Sequence, residues 1–235
     1  LSAIQSYCVD KTAQARAGKL DHIIGRERET RSLIEVLCRR SKPNVIVVGE
    51  PGVGKTALIE GFAQEIIKEN VPALLANAIL LELDTSLLFA GTAYKGEVED
   101  RLKKVINACT KMDKAILFID EIHPLLDNKG SGGNVANLIK PELARGEITV
   151  IGTTTYEEYR KIIEPEQAFN RRFELLTIEE PDTETCIKMI SVLLEHYKAY
   201  HQIAVDKDAL PECVRLAKRY AKGKRLPDAA IDLLD

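Results

Sequence analysis

Two short stretches carry residue types suited to phosphate chemistry. Gly49-Glu50-Pro51-Gly52-Val53-Gly54-Lys55-Thr56 fits G-x-x-x-x-G-K-[ST], a loop whose glycines let successive backbone N–H groups curl around a phosphate. Lys55 would reach the β- and γ-phosphates, and the Thr56 hydroxyl would hold Mg²⁺. Asp120-Glu121 follows the apolar run Ala115–Ile119. In that position Asp120 would act on the metal, and Glu121 would activate the attacking water. A bland alternative stands beside the second motif, because Asp and Glu also suit the start of a helix.

For these groups to meet, the chain must deliver them to one edge of a sheet. Val45–Val48 is wholly apolar and rich in β-branched residues, which predicts a strand buried on both faces. An amphipathic pattern over 27–40 precedes it, and a helix reads from Lys55 to about Lys68. Strands then read at Ile79–Leu83, Ala115–Ile119, Ile148–Gly152 and Leu175–Ile178. They alternate with helices from about Glu97 to Lys111 and from Asn134 to Ala144. This is the α/β pattern of a parallel five-stranded sheet between helices. The opening twenty residues read as mixed and helical until Gly18. After Glu180-Pro181-Asp182 only helical patterns remain, at 183–201, 206–221 and 227–235. The expected organisation is an α/β body over 1–180 and a small all-α unit over 181–235.

Composition narrows the classes. The 235 residues carry 33 Lys+Arg against 36 Asp+Glu, a formal charge of −3, which gives no global attraction to nucleic acid or an anionic membrane. No apolar stretch approaches the ~20 residues of a membrane span, and no basic segment followed by an apolar run opens the chain. Five cysteines and four histidines lie scattered without metal-ligand spacing, fitting reduced thiols rather than disulfides or zinc. A cytoplasmic protein is expected. The chain starts at Leu1 and stops inside an apolar-periodic run, so a longer parent is expected.

Taken together, the phosphate loop, Ile119-Asp120-Glu121-Ile122-His123, Gly152-Thr153-Thr154-Thr155 and Asn170-Arg171-Arg172-Phe173 resemble an AAA+ ATPase module. Ile24-Gly25-Arg26, the segment Leu138–Gly146, Glu158-Tyr159-Arg160 and Leu226–Asp232 extend the likeness over essentially the whole chain. More narrowly, it resembles the first ATPase ring of the Clp unfoldases and disaggregases, of ClpA, ClpB, ClpC or ClpV type. The resemblance implies a P-loop fold with a helical lid, ATP and Mg²⁺ as ligands, a homohexamer in the full-length protein, and polypeptide substrates. It also allows a peptidase or a secretion sheath as partner, while the isolated segment could remain monomeric.

Site roles follow from the same resemblance. Thr155 takes the place of the sensor of the γ-phosphate or attacking water, with a helix cap as its alternative. Arg171 and Arg172 match arginine fingers that reach a neighbouring subunit's γ-phosphate, with a salt-bridged surface pair as theirs. Ile23 and Ile24 match the segment along adenine, with plain hydrophobic packing as theirs. Tyr94, Lys95 and Gly96 match the pore loop that grips an extended polypeptide, with a Tyr folded onto the surface as its alternative. Ala93 departs from the basic residue common before that Tyr, which puts a preference for acidic substrate segments in doubt. The Gly-rich stretch 127–133 is expected to be flexible. Two other readings compete: a nucleic-acid motor or clamp-loader module, and a nucleotide-gated scaffold without turnover.

Overall fold

The computed structural model describes residues 2–91, 95–127, 139, 141–143, 145–206 and 208–235, with the side chains of Lys95 and Ala168 excepted. Six strands form one sheet: β1 Cys8–Asp10, β2 Val45–Val48, β3 Ile79–Leu83, β4 Ala115–Ile119, β5 Thr149–Thr154 and β6 Glu174–Thr177. Their order is β1-β3-β4-β5-β2-β6. All neighbours run parallel except β1, which pairs antiparallel to β3 with Val9 opposite Glu82.

The side-chain alternation of a strand divides the interior in two. Ile46, Val48, Leu81, Leu117, Ile119 and Val150 point to one face, where Leu102, Val105 and Ile106 of the helix Lys95–Cys109 cover them. Val45, Val47, Leu80, Ile116, Phe118 and Ile151 point to the other, under Leu33 and Leu37 of Glu27–Leu37 and Leu58 and Phe62 of Lys55–Ile67. Because both faces are covered, β2 and β4 read as unbroken apolar runs. A third core, including Cys186, Ile190, Leu210, Val214 and Ala230, lies among the helices Thr183–His201, Ala209–Tyr220 and Asp228–Leu234. Among the described residues no helix is long and apolar enough to cross a membrane.

The α/β class stands, and the strand count rises from five to six. β1 is only three residues long and is bracketed by the short helices Ser2–Tyr7 and Lys11–Arg16, so it leaves no strand-like periodicity. Its pairing with β3, rather than its own pattern, makes it a strand. The buried Lys11 just after it meets Glu60 and Glu82, each at 2.9 Å. β5 runs to Thr154 rather than Gly152, because Val47 and Val48 of β2 extend the ladder to Thr153 and Thr154. Most of the helix expected from Asn134 and most of the Gly-rich loop 127–133 lie outside the described residues.

Candidate nucleotide site

In a parallel sheet every strand ends at the same edge, and ligands gather there. β2 runs into the phosphate loop, β4 into Asp120, and β5 into Thr155. Since β5 lies between β4 and β2, its threonines stand between the acidic pair and the loop.

Gly54 has φ +94°, the left-handed conformation open to glycine, and it caps the helix Lys55–Ile67 without a side-chain bond. The first intrahelical bond of the segment runs from the Leu58 N–H to the Gly54 carbonyl at 3.0 Å. The N–H groups of Lys55, Thr56 and Ala57 are therefore left for an anion, at the positive end of the helix dipole. Gly52 also has positive φ, +80°. A Cβ on Gly49 would come within 2.6 Å of the Ile178 carbonyl oxygen, so this loop packs directly on the backbone that leaves β6.

The Lys55 ammonium donates to the carbonyls of Gly49 at 2.9 Å and Glu50 at 3.0 Å. Burial lowers its pKa, against the opposing charges of Asp120, Glu121, Glu50 and Glu158. The Thr56 hydroxyl donates to Asp120 Oδ2 at 2.9 Å. The fully buried Thr153 donates to Asp120 Oδ1 and accepts the Glu121 N–H at 2.9 Å. Glu121 sits in the left-handed region at φ +48°. That backbone turn, held by Thr153, places its exposed carboxylate in the cavity. Thr154 Oγ1 lies 3.2 Å from His123 Nδ1.

A cavity of about 320 Å³ is lined by Lys55, Thr56, Asp120, Glu121, Thr155 and Asp228, among others. The oxygens of Thr56 and Asp120, 2.9 Å apart, are spaced like neighbouring ligands of an octahedral Mg²⁺ with bonds of about 2.0–2.1 Å. The residues present fit that ion. Thr155 also caps the turn after β5, accepting from the Glu158 N–H at 3.3 Å. The capping alternative is thus real and compatible with a place at the cavity.

The remaining expected site residues lie away from this cavity or outside the described residues. Ile23 and Ile24 do not line this cavity; they line a separate groove of about 610 Å³, where Ile23 packs on Gly61. Arg171 and Arg172 directly precede Phe173 and β6, whose first residue Glu174 is opposite Val45, the first of β2. They therefore lie at the sheet edge opposite the phosphate loop, and the Arg172 carbonyl is held there by Asn44 Nδ2 at 3.2 Å. Tyr94 lies outside the described residues. Lys95 and Gly96 open the helix Lys95–Cys109, and Gly96 is exposed.

Sequence reasoning missed several participants. Thr153 follows the apolar run that ends at Gly152, and only the extension of β5 in the structure brings it beside the acidic pair. Asp228 belongs to the helical end, yet its backbone N–H donates to the Gly52 carbonyl at 3.3 Å and its side chain packs on Gly52. No local pattern announces that contact.

A model of the ATPase family associated with various cellular activities (AAA) matches residues 45–178, and a model of the AAA lid domain matches 182–235. The chain belongs to the AAA ATPase family. Within that family it is similar to Clp chaperones and heat shock proteins. It is 44% identical over 234 residues to the negative regulator of genetic competence ClpC/MecB of Bacillus subtilis, covering 99% of this chain and 29% of that protein. It is 46% identical to the chaperone protein ClpB of Porphyromonas gingivalis, covering 100% of this chain and 28% of the relative. Heat shock protein 104 of Schizosaccharomyces pombe is 47% identical over 99% of the chain and 26% of its own length. The AAA module thus spans less than a third of these relatives. Among solved structures, the Saccharomyces cerevisiae Hsp104:casein complex superposes with a TM-score of 0.90 at 46% identity, covering 99% of this chain and 40% of that one. The Hsp104–ADP complex superposes at 0.92, with 33% of that chain covered.

Proposed function

We propose that this AAA module binds ATP with Mg²⁺ and hydrolyses it, and that assembled chains use the energy to pull polypeptides through a hexameric ring. The observation that carries the reading is the convergence of Lys55, Thr56, Asp120, Glu121 and Thr155 on one cavity. In it, the free N–H groups after Gly54 and the Lys55 ammonium cradle the β- and γ-phosphates. An arriving phosphate competes with the Gly49 and Glu50 carbonyls for that ammonium and offsets the burial that disfavours its charge. Thr56 and Asp120 hold Mg²⁺, which when bound neutralises charge on the phosphate oxygens. Glu121 orients the water and takes its proton, while Thr155 lies where it can bond that water or the γ-phosphate.

The site is incomplete in one chain. The Arg171–Arg172 pair stands at the far edge of the sheet, so its guanidinium charge would serve a neighbour's cavity. Ring assembly then becomes a condition of fast turnover. Residues 1–180 act as the nucleotide-binding body and 181–235 as its lid, which meets the loop through Asp228. Tyr94, Lys95 and Gly96 contact the substrate. The solved Hsp104:casein complex supports a polypeptide as the cargo. The nucleic-acid alternative is not favoured, since relatives matched over the whole chain bear chaperone and heat-shock names. Lys55→Ala should lose ATP binding, measured by calorimetry, while Tyr94→Ala should keep phosphate release and lose substrate unfolding in the assembled ring. Normal unfolding by Tyr94→Ala would remove the pore-loop role.

A further inference from the structure

Arg26 takes no part in the chemistry above, yet its guanidinium is 5% exposed and fully engaged at one end. Nη2 donates to the Val53 carbonyl at 2.7 Å and to the Glu179 carbonyl at 2.9 Å. Nη1 donates to Glu29 Oε1 at 2.6 Å. Nε is buried without a hydrogen-bond partner. Val53 is the fifth residue of the phosphate loop. Glu179 lies just beyond β6, three residues before Asp182 caps the helix Thr183–His201. At the neighbouring Gly25, with φ +78°, a Cβ would come within 2.6 Å of Thr185 Cγ2 and 2.9 Å of Met189 Cε, so the same helix rests on this backbone.

We infer that Arg26 is a positioning residue for the phosphate loop, aiming the Gly54 N–H at the bound phosphate and tying the loop to the entry of the helical lid. The peptide unit is planar and trans, so the Val53 carbonyl and the Gly54 N–H point in opposite directions. A guanidinium grasping that carbonyl from the interior turns the N–H toward the cavity, which Gly54 lines. The planar fork lets one side chain hold two carbonyls and a carboxylate together, a task for which a lysine ammonium lacks the geometry. Because one nitrogen bonds both Val53 and Glu179, movement of the loop around a phosphate is passed to the segment that starts the lid helix. The partnerless Nε is the unfavourable part of the arrangement.

This rests on the reading of the cavity as a nucleotide site, and the test separates the two. ADP affinity is measured by calorimetry on the 235-residue chain and its variants, with melting temperature and the Gly54 amide resonance in ¹⁵N-labelled protein recorded alongside. Arg26→Lys and Arg26→Gln are expected to weaken ADP binding by about tenfold or more and to shift the Gly54 resonance in nucleotide-free protein. Lys11→Met, which breaks the remote pairing with Glu60 and Glu82, is expected to lower the melting temperature and leave ADP affinity unchanged. Wild-type affinity in both Arg26 variants would overturn the inference. So would an equal loss in Lys11→Met, or failure of both Arg26 variants to fold, which would mark the residue as structural. If Lys55→Ala binds ADP like wild type, the nucleotide reading itself fails. If only Lys55→Ala loses binding, the nucleotide reading stands and the role of Arg26 falls.

Discussion

The hydroxyl of Thr56 donates to the carboxylate of Asp120 across 2.9 Å, although 64 residues separate them. This bond joins the first turn after the phosphate loop to the end of β4, two strands away. It also uses the two oxygens that Mg²⁺ would take. The protein therefore holds these two oxygens together without an ion.

Thr153 supports that arrangement from β5. Thr153→Val preserves shape but strands the Glu121 N–H and removes one donor from Asp120. The expected destabilisation is about 1–3 kcal/mol, the cost of an unsatisfied buried group. It should appear as a lower melting temperature in calorimetry, with a weaker Mg²⁺ dependence of ATP binding.

Glu121, proposed above to activate the water, sits in a left-handed conformation at φ +48°. Glu121→Gln is expected to bind ATP normally and lose about 10²–10⁴-fold in hydrolysis, read by phosphate release. Glu121→Gly should lose hydrolysis equally. Its melting temperature should be unchanged or higher, because glycine relieves a left-handed conformation costing roughly 1–2 kcal/mol. A clear fall in stability for the glycine variant would show that the carboxylate contributes packing that the exposed position does not suggest.

The placement of Arg171 and Arg172 predicts complementation. A preparation with both arginines replaced by alanine should bind ATP and hydrolyse it at least about 10³-fold more slowly. Mixed with Glu121→Gln chains, which keep their arginines, it should regain part of its turnover. No recovery in mixed rings would mean that the arginines do not act across the interface.

The thiols predict a pH effect. Burial, reinforced by Cys109, raises Cys8 from its ordinary 9.0 to about 12, and burial raises Cys109 and Cys186 to about 11. Little of any of the three is thiolate at pH 8, and the buried Cys109 and Cys186 should alkylate only on unfolding. A thiol whose folded pKa is raised binds its proton more tightly in the native state. Its contribution to stability is full below pH 9 and is lost as pH rises toward 11–12. Denaturant midpoints between pH 8 and 11 should fall accordingly. Rapid native-state labelling of Cys109 would contradict the burial.

Local chemistry determined much of this protein on its own. The loop Gly49–Thr56 encodes its conformation through glycines that tolerate positive φ, and Val45–Val48 and Ala115–Ile119 encode double burial through their lack of polar residues. The acidic pair and the alternation of strand with helix followed from the same short-range signals. What tertiary structure decided were relations without a local signature. β1 exists through pairing with β3, and strand order inserted β5 between the loop and the acids, giving Thr153 its place. Parallel register sent Arg171 and Arg172 to the opposite edge, while chain return brought Asp228 onto Gly52 and Arg26 behind Val53. Hydrogen bonds between residues far apart in the chain depend on which segments become neighbours, and that choice is made by burial of the whole core rather than by any residue's own preference.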